Sequence, residues 1–183
     1  MSPDNQYTDQ QVIDLLQSDS DKAIELLFRM HYAFLCKTVI RIIPDPVFVE
    51  DLVQDVFYEL WKKRENIVIN TSIRAYLKRA AINKTLNHIR SQKMKFDDEA
   101  PQHDLKSNQI SSQRKLEADE LQKVINQAIS ELPERCRIVF SLSRFEELSY
   151  REIADSLDIS IKTVENQISK ALKILREKLA PYK

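Results

Sequence analysis

Apolar residues recur at helical spacing along most of the chain, and the gaps between these runs delimit its elements. Thr8 and Gln11 form a capping box ahead of a short helix through Leu16. A second helix is expected from Asp21 to Ile43, with Ile24, Leu27, Phe28, Leu35, Val39 and Ile42 in phase, and Pro44 and Pro46 ending it. A third runs from Val47 to Lys63 on Leu52, Val53, Val56, Phe57, Leu60 and Trp61. ENIVINTS, from Glu65 to Ser72, breaks the pattern. A fourth helix then carries Ile73, Tyr76, Leu77, Ala80, Ala81, Ile82, Leu86 and Ile89 toward Lys93.

Asp97 to Ser112 is polar, contains Pro101 and lacks aromatic residues, so it reads as a flexible linker. Four shorter helices follow: Lys115–Ser130, one from Pro133 to Arg144, Tyr150–Leu157 behind a Ser149/Glu152 capping box, and Ile161–Leu179 behind Ser160. The expected fold is all-α. It has two small helical domains, 1–96 and 115–183, joined by the linker 97–114, and the second is a helix-turn-helix domain.

Composition narrows the function. The 183 residues include no glycine, against about 13 expected from average usage near 7%. Hairpin-rich sandwiches and glycine-rich phosphate loops are therefore excluded as readings. No apolar run reaches the roughly 18 residues that span a bilayer. The N-terminus MSPDNQYTDQ is polar, and the expected location is cytoplasmic. Cys36 and Cys136 read as reduced core thiols, and His31, His88 and His103 as surface or satisfied residues without metal-ligand spacing. With no nucleophile–base pair, metal cluster or cofactor fingerprint in the pattern, no enzyme activity, cofactor or small-molecule substrate is expected.

The neutral total, 28 bases against 28 acids, hides a strong segregation. Residues 1–61 hold 4 Lys/Arg and 11 Asp/Glu, a net of −7; residues 62–96 hold 10 bases and Glu65, a net of +9. Residues 159–183 hold 6 bases and 2 acids, a net of +4. Such blocks suit a protein that faces two partners of opposite charge.

The C-terminal run is a helix-turn-helix pattern, in which Ile153, Ala154 and Leu157 pack against Val164, Ile168 and Leu172 across a turn at Asp158–Ile159. Ile161, Val164, Ile168, Ala171, Leu172, Leu175 and Leu179 form the expected buried stripe. Lys162, Glu165, Asn166, Ser169, Lys170, Lys173 and Arg176 form the outer face, able to bond base edges and phosphates in a major groove.

In the fourth helix Arg79, Asn83, Asn87 and Arg90 make one polar stripe. Arg74, Lys78, Lys84, Lys93 and Lys95 surround it, Tyr76 is nearby, and Asn66–Thr71 lie just upstream. Cations for a backbone, amides for a base and an aromatic for stacking suit single-stranded DNA. EDLVQDVFYELW sets Asp51, Gln54, Asp55 and Glu59 on one face, suited to a basic protein partner.

With these residues in place, the chain resembles a bacterial RNA polymerase sigma factor of the extracytoplasmic-function (ECF) type, within the sigma-70 family. VEDLVQDVFYELW resembles the family's polymerase-binding helix, SIRAYLKRAAINKTLNHIRSQ its −10 recognition and melting helix, and ELPERCRIVFSLSRFEELSYREIADSLDISIKTVENQISKALKILREKL its −35-binding domain. The wording of SRFEELSYREIA and TVENQISKALKILRE is most similar to versions common in Bacteroidetes.

The resemblance implies that Asp51, Gln54, Asp55 and Glu59 contact the coiled coil of the polymerase β′ clamp. It implies that Asn66, Asn70, Tyr76, Arg79, Asn83, Asn87 and Arg90 serve −10 DNA, the loop Asn66–Thr71 capturing a flipped base. Lys162, Glu165, Asn166, Ser169, Lys170 and Lys173 would serve the −35 duplex. It further implies promoter DNA and core RNA polymerase as partners, with sequestration by an anti-sigma factor at the membrane. Many relatives carry arginine where Glu165 and Lys170 stand. The family's loop and turn glycines are also missing, so Asn66, Asn70 and Asp158 are expected to take unusual backbone angles. The rival readings are a stand-alone helix-turn-helix regulator, which leaves the N-terminal half unexplained, and a helical adaptor that binds no DNA.

Overall fold

The computed structural model describes residues 7–92 and 117–182. Among the described residues all regular structure is helical. The elements are α1 (Asp9–Ser18), α2 (Ser20–Ile40), α3 (Pro46–Lys63), α4 (Ile73–Ser91), α5 (Glu117–Ser130), α6 (Glu134–Phe145), α7 (Tyr150–Leu157) and α8 (Ile161–Leu179), with a 3-10 turn at Ala180–Tyr182. The chain separates into two compact units at His88, inside α4, and each is considered by itself. The linker 97–114, Lys93, Lys95, His103 and the expected start of α5 at Lys115 lie outside the described residues.

In the first unit the local signals act as the sequence indicates, with two adjustments. Thr8 and Gln11 form the reciprocal box that starts α1. Asp19 caps α2 by accepting from the Lys22 amide. Helix α2 stops at Ile40, three residues before the expected Ile43, and the Ile42 and Ile43 amides both turn back to the Val39 carbonyl. The residue before a proline is pushed away from helical angles, which takes Ile43 out of the helix. Pro46 does not end α2. It opens α3 as a first-turn proline, behind Asp45, whose carboxylate accepts from the Val47 and Phe48 amides. The core is a continuous cluster that includes Leu16, Leu27, Leu35, Val39, Val53, Leu60, Ile73 and Leu77, each at most 2% exposed.

In the second unit α6 and α7 pack on α8. Pro133, expected as the first helical residue, stands instead at the cap position, so α6 begins one residue later at Glu134. Ile138, Val139, Leu142, Ile153 and Val164 are fully buried. The buried Arg137 guanidinium donates to the Ser130 and Leu132 carbonyls, satisfying backbone acceptors where α5 ends. A Lys178–Glu131 ion pair ties the end of α8 to the end of α5.

The connection between α7 and α8 is a helix-turn-helix turn built without glycine. Ser149 and Glu152 form the capping box; the Ser149 amide and hydroxyl both donate to Glu152 and hold its carboxyl below the usual range. Asp158 takes the left-handed conformation expected of it (φ 56°), which lets the Ile159 amide bond the Ala154 carbonyl at 3.0 Å. Ser160 then starts α8 by accepting from the Thr163 amide. Asn66 and Asn70 do not take positive φ; the second such residue among those described is Glu147 (φ 57°), in the turn after α6.

The buried stripe of α8 differs from the expected one. It consists of Val164, Gln167, Ile168, Ala171 and Leu175, while Ile161 and Leu172 are 46% and 48% exposed and Leu179 is half-buried. Gln167 occupies the inner position because its Oε1 accepts from the buried Cys136 thiol at 3.1 Å, so the amide is not stranded. Leu172 follows Ala171 by one residue, a rotation of about 100° that turns it outward.

Cys36 and Cys136 are free thiols, and burial pushes both up from the usual value. His88 packs on Phe48 in a tilted arrangement, with ring centroids 4.1 Å apart. His31 is neither a surface residue nor satisfied: it is buried, and its Nδ1 has no hydrogen-bond partner.

Candidate nucleic-acid interface

Helix α4 presents the polar stripe that its sequence spacing requires. Arg79, Asn83, Asn87 and Arg90 are all exposed, while Leu77, Ala81, Thr85 and Ile89 are buried. Thr85 is fully buried at no cost in unmet polarity, because its hydroxyl donates to the Ala81 carbonyl at 2.8 Å. Tyr76 is half-buried, and Arg74 lies over the Phe34 ring at 3.8 Å. The stripe is narrow, since Tyr76, Ala80, Lys84 and His88 on one flank and Lys78 and Ile82 on the other are half-buried.

Ahead of α4 the loop Asn66–Thr71 curls against the end of α3 and encloses an open cleft of about 490 Å³. Glu59, Lys62, Lys63, Asn66, Ile67, Val68 and Tyr76 line it. Asn66 and Asn70 are exposed, and Val68 projects into solvent at 76% exposure. The apolar share of the cleft was missed in the sequence reading. Its signal is the pair Ile67 and Val68 inside an otherwise polar, non-helical run. Close by, Tyr58 and Trp61 stack at 6.2 Å and the Arg64 guanidinium covers the Trp61 ring at 4.6 Å. A cationic cleft with aromatic and apolar walls can hold an unstacked base while lysines meet its phosphates.

On α3, Asp51, Gln54 and Asp55 are exposed and Glu59 is half-buried, while Leu52, Val56 and Leu60 point inward. The acids are not isolated. Asp55 accepts from Lys84 of α4 at 2.9 Å, and Glu59 pairs with Lys63 at 3.4 Å. One bridge, Lys84–Asp55, thus joins the acidic face of α3 to the flank of α4, while the Glu59–Lys63 pair lies within α3.

In the second unit Lys162, Glu165, Asn166, Ser169, Lys170, Lys173 and Arg176 are all exposed along α8. They form a broad polar face that also carries Ile161 and Leu172. Lys162 donates to Glu165 one turn on, at 3.2 Å, so this cation and anion partly cancel. No group of three or more His, Cys, Asp or Glu side chains suited to a metal occurs among the described residues. No helix among them is long and apolar enough to cross a membrane.

These geometries coincide with known sequence families. Residues 27–94 match the model for Sigma-70 region 2, and residues 122–175 match the model for Sigma-70, region 4. The RNA polymerase sigma-H factor of Pseudomonas aeruginosa is 27% identical over 186 residues, covering 96% of each chain. The ECF RNA polymerase sigma-E factor of Escherichia coli (strain K12) is 26% identical over 189 residues, again covering 96% of each. Among solved structures, the sigma factor RpoE in complex with the anti-sigma factor NepR from Bartonella quintana is 20% identical, with a TM-score of 0.48 over 87% of this chain and 98% of that one.

Proposed function

The chain carries regions 2 and 4 of the sigma-70 family and belongs to it, and from that premise we propose how its three polar faces divide the work of starting transcription. It is a sigma factor, which binds core RNA polymerase and directs promoter-specific initiation. Asp51, Gln54, Asp55 and Glu59 on α3 meet the β′ clamp coiled coil. Lys162, Glu165, Asn166, Ser169, Lys170 and Lys173 on α8 enter the major groove of the −35 duplex. Arg79, Asn83, Asn87 and Arg90 on α4, with Asn66, Asn70 and Tyr76, take the −10 non-template strand as it separates. The working domains are 1–96 and 115–183, with 97–114 as the tether.

The observation that carries this reading is the exposed row Arg79–Asn83–Asn87–Arg90 running from a cleft lined by Lys62, Lys63, Ile67 and Tyr76. Cations line the path of a strand, amides can bond a base edge, and the cleft receives a base that has left the stack. The unstacking cost of a few kcal/mol per base is offset by those contacts. The role needs no bond to be made or broken by this chain, and no cofactor. The acidic block of residues 1–61 opposes the field of the basic one, so the free protein binds promoter DNA weakly near 0.15 M salt. Family resemblance supports the ECF group, a cytoplasmic site of action and an anti-sigma factor at the membrane. The phrasing of SRFEELSYREIA and TVENQISKALKILRE supports a Bacteroidetes-type member.

Run-off transcription with purified core polymerase on a promoter library tests the whole reading. Initiation at a defined set of sites is expected, and its absence at every site overturns it. Asn83→Ala should lose opening while retaining polymerase, and Asp55→Ala should lose polymerase. Normal holoenzyme formation by Asp55→Ala removes the acidic face from the account.

A further inference from the structure

Helix α1 lies outside the matched region-2 segment, which begins at residue 27, yet it reaches the start of α4. Asp9 Oδ2 accepts from the Ile73 amide at 3.1 Å, across 64 positions of sequence. Ile73 opens α4, so its amide is one of the first-turn donors with no partner inside the helix. The Ser72 hydroxyl accepts instead from the Ala75 amide at 3.2 Å. Solvent has little access either, with Ile73 1% exposed. Asp9 is also in the first turn of α1, so one carboxylate stands at two helix N-termini, each favouring negative charge.

Helix α1 is itself anchored, through buried Val12 and Leu16 and the Thr8/Gln11 box. The clamped turn leads directly into functional geometry. Arg74, the next residue, rests on Phe34 of α2, and Tyr76 forms a wall of the cleft. We propose that Asp9 is a positioning residue for strand opening. Through the Ile73 amide, α1 fixes the first turn of α4, and with it Tyr76 and the loop Asn66–Thr71, in the arrangement that receives an unstacked base. This rests on the sigma-factor reading above.

The test compares wild type with Asp9→Ala, Asp9→Asn and the exposed α1 control Gln17→Ala. In the free protein, amide hydrogen exchange at Ile73 should accelerate about 10-fold in Asp9→Ala, the size of a typical lost helix cap. Asp9→Asn keeps an acceptor oxygen and should stay nearer wild type than Asp9→Ala. In holoenzyme, on a promoter that wild type opens, permanganate reactivity of −10 thymines should appear more slowly in Asp9→Ala by a similar factor. Affinity for core polymerase and for −35 duplex should be unchanged, as should every measurement on Gln17→Ala. Unchanged Ile73 exchange, opening at the wild-type rate, or equal losses in opening and polymerase binding would each overturn the proposal. If wild type opens no promoter, the sigma-factor reading fails, and the exchange arm still decides whether Asp9 holds α4.

Discussion

Helix α8 is exposed at Lys162, Glu165, Asn166, Ser169, Lys170, Lys173 and Arg176, a face wide enough to include Ile161 and Leu172. From Tyr76 to Arg90, helix α4 shows solvent the single row Arg79, Asn83, Asn87 and Arg90. An α-helix about 10–12 Å across fills a major groove about 12 Å wide. A groove-reading helix must therefore stand proud of its domain over much of its circumference. Helix α8 does so, held from behind by Val164, Gln167, Ile168, Ala171 and Leu175. Helix α4 is half-buried on both flanks, a shape that suits the proposed contact with a strand laid across it better than entry into a groove. Under the proposed division of labour, the same chemistry of cations and amides would serve duplex or single strand according to how deeply its helix is embedded.

That contrast yields a graded set of outcomes. Leu77→Ala in α4, at a fully buried site, should cost about 2–5 kcal/mol. Leu172→Ala, on the outer face of α8, should stay within about 0.5 kcal/mol. Thermal denaturation of both variants checks the pair, and equal losses would deny that the outer face of α8 is free of the core.

Next in size, Asn166→Ala should weaken −35 duplex binding by about 1–3 kcal/mol, the range of a good base contact. It should leave −10 opening by saturating holoenzyme unchanged. Asn83→Ala should show the reverse pattern. Fluorescence anisotropy on duplex and permanganate footprinting on holoenzyme separate the two.

A smaller shift is expected from Lys173→Ala, which should reduce the slope of log affinity against log salt by about 0.9 if Lys173 meets one phosphate. A salt titration of −35 binding reads this directly.

The smallest effect is a pH dependence of the first unit. Burial, and then Arg74, hold the His31 imidazole below its ordinary value of 6.5. The unfolded chain therefore binds a proton near 6.5 that the folded chain refuses. Stability is full above that pH and declines as pH falls from there through the lowered folded value. Midpoints recorded from pH 7.5 down to pH 5 should fall, and His31→Gln should flatten the decline.

The sequence was most legible where one residue type acts on its own neighbourhood. Ser149 with Glu152, Ser160, and Thr8 with Gln11 each do locally what their spacing implies. Of the three positions where the resemblance implied unusual angles, Asp158 takes them and Asn66 and Asn70 do not. The stripe Arg79–Asn83–Asn87–Arg90 was equally readable, because helical period alone puts those residues on one face. Where tertiary structure decides, the pattern misled. Gln167 reads as polar and is buried because Cys136, 31 positions away, supplies a donor. Leu172 reads as core and is exposed because α8 is rotated to bury Ala171. Pro46 reads as a stop and serves as a start. The Asp9–Ile73 and Lys84–Asp55 contacts join residues 64 and 29 positions apart, and no local spacing announces either.

The Lys84–Asp55 bridge has a practical consequence for genetics. Truncating Asp55 to test the proposed attachment to polymerase also releases the Lys84 ammonium beside the polar row of α4, so one substitution touches both proposed surfaces at once. A defect in transcript yield from that variant alone is therefore ambiguous. Paired replacement of Lys84 and Asp55, set against Gln54→Ala on the same face, would apportion the loss, because non-additive effects mark partners that work as a unit.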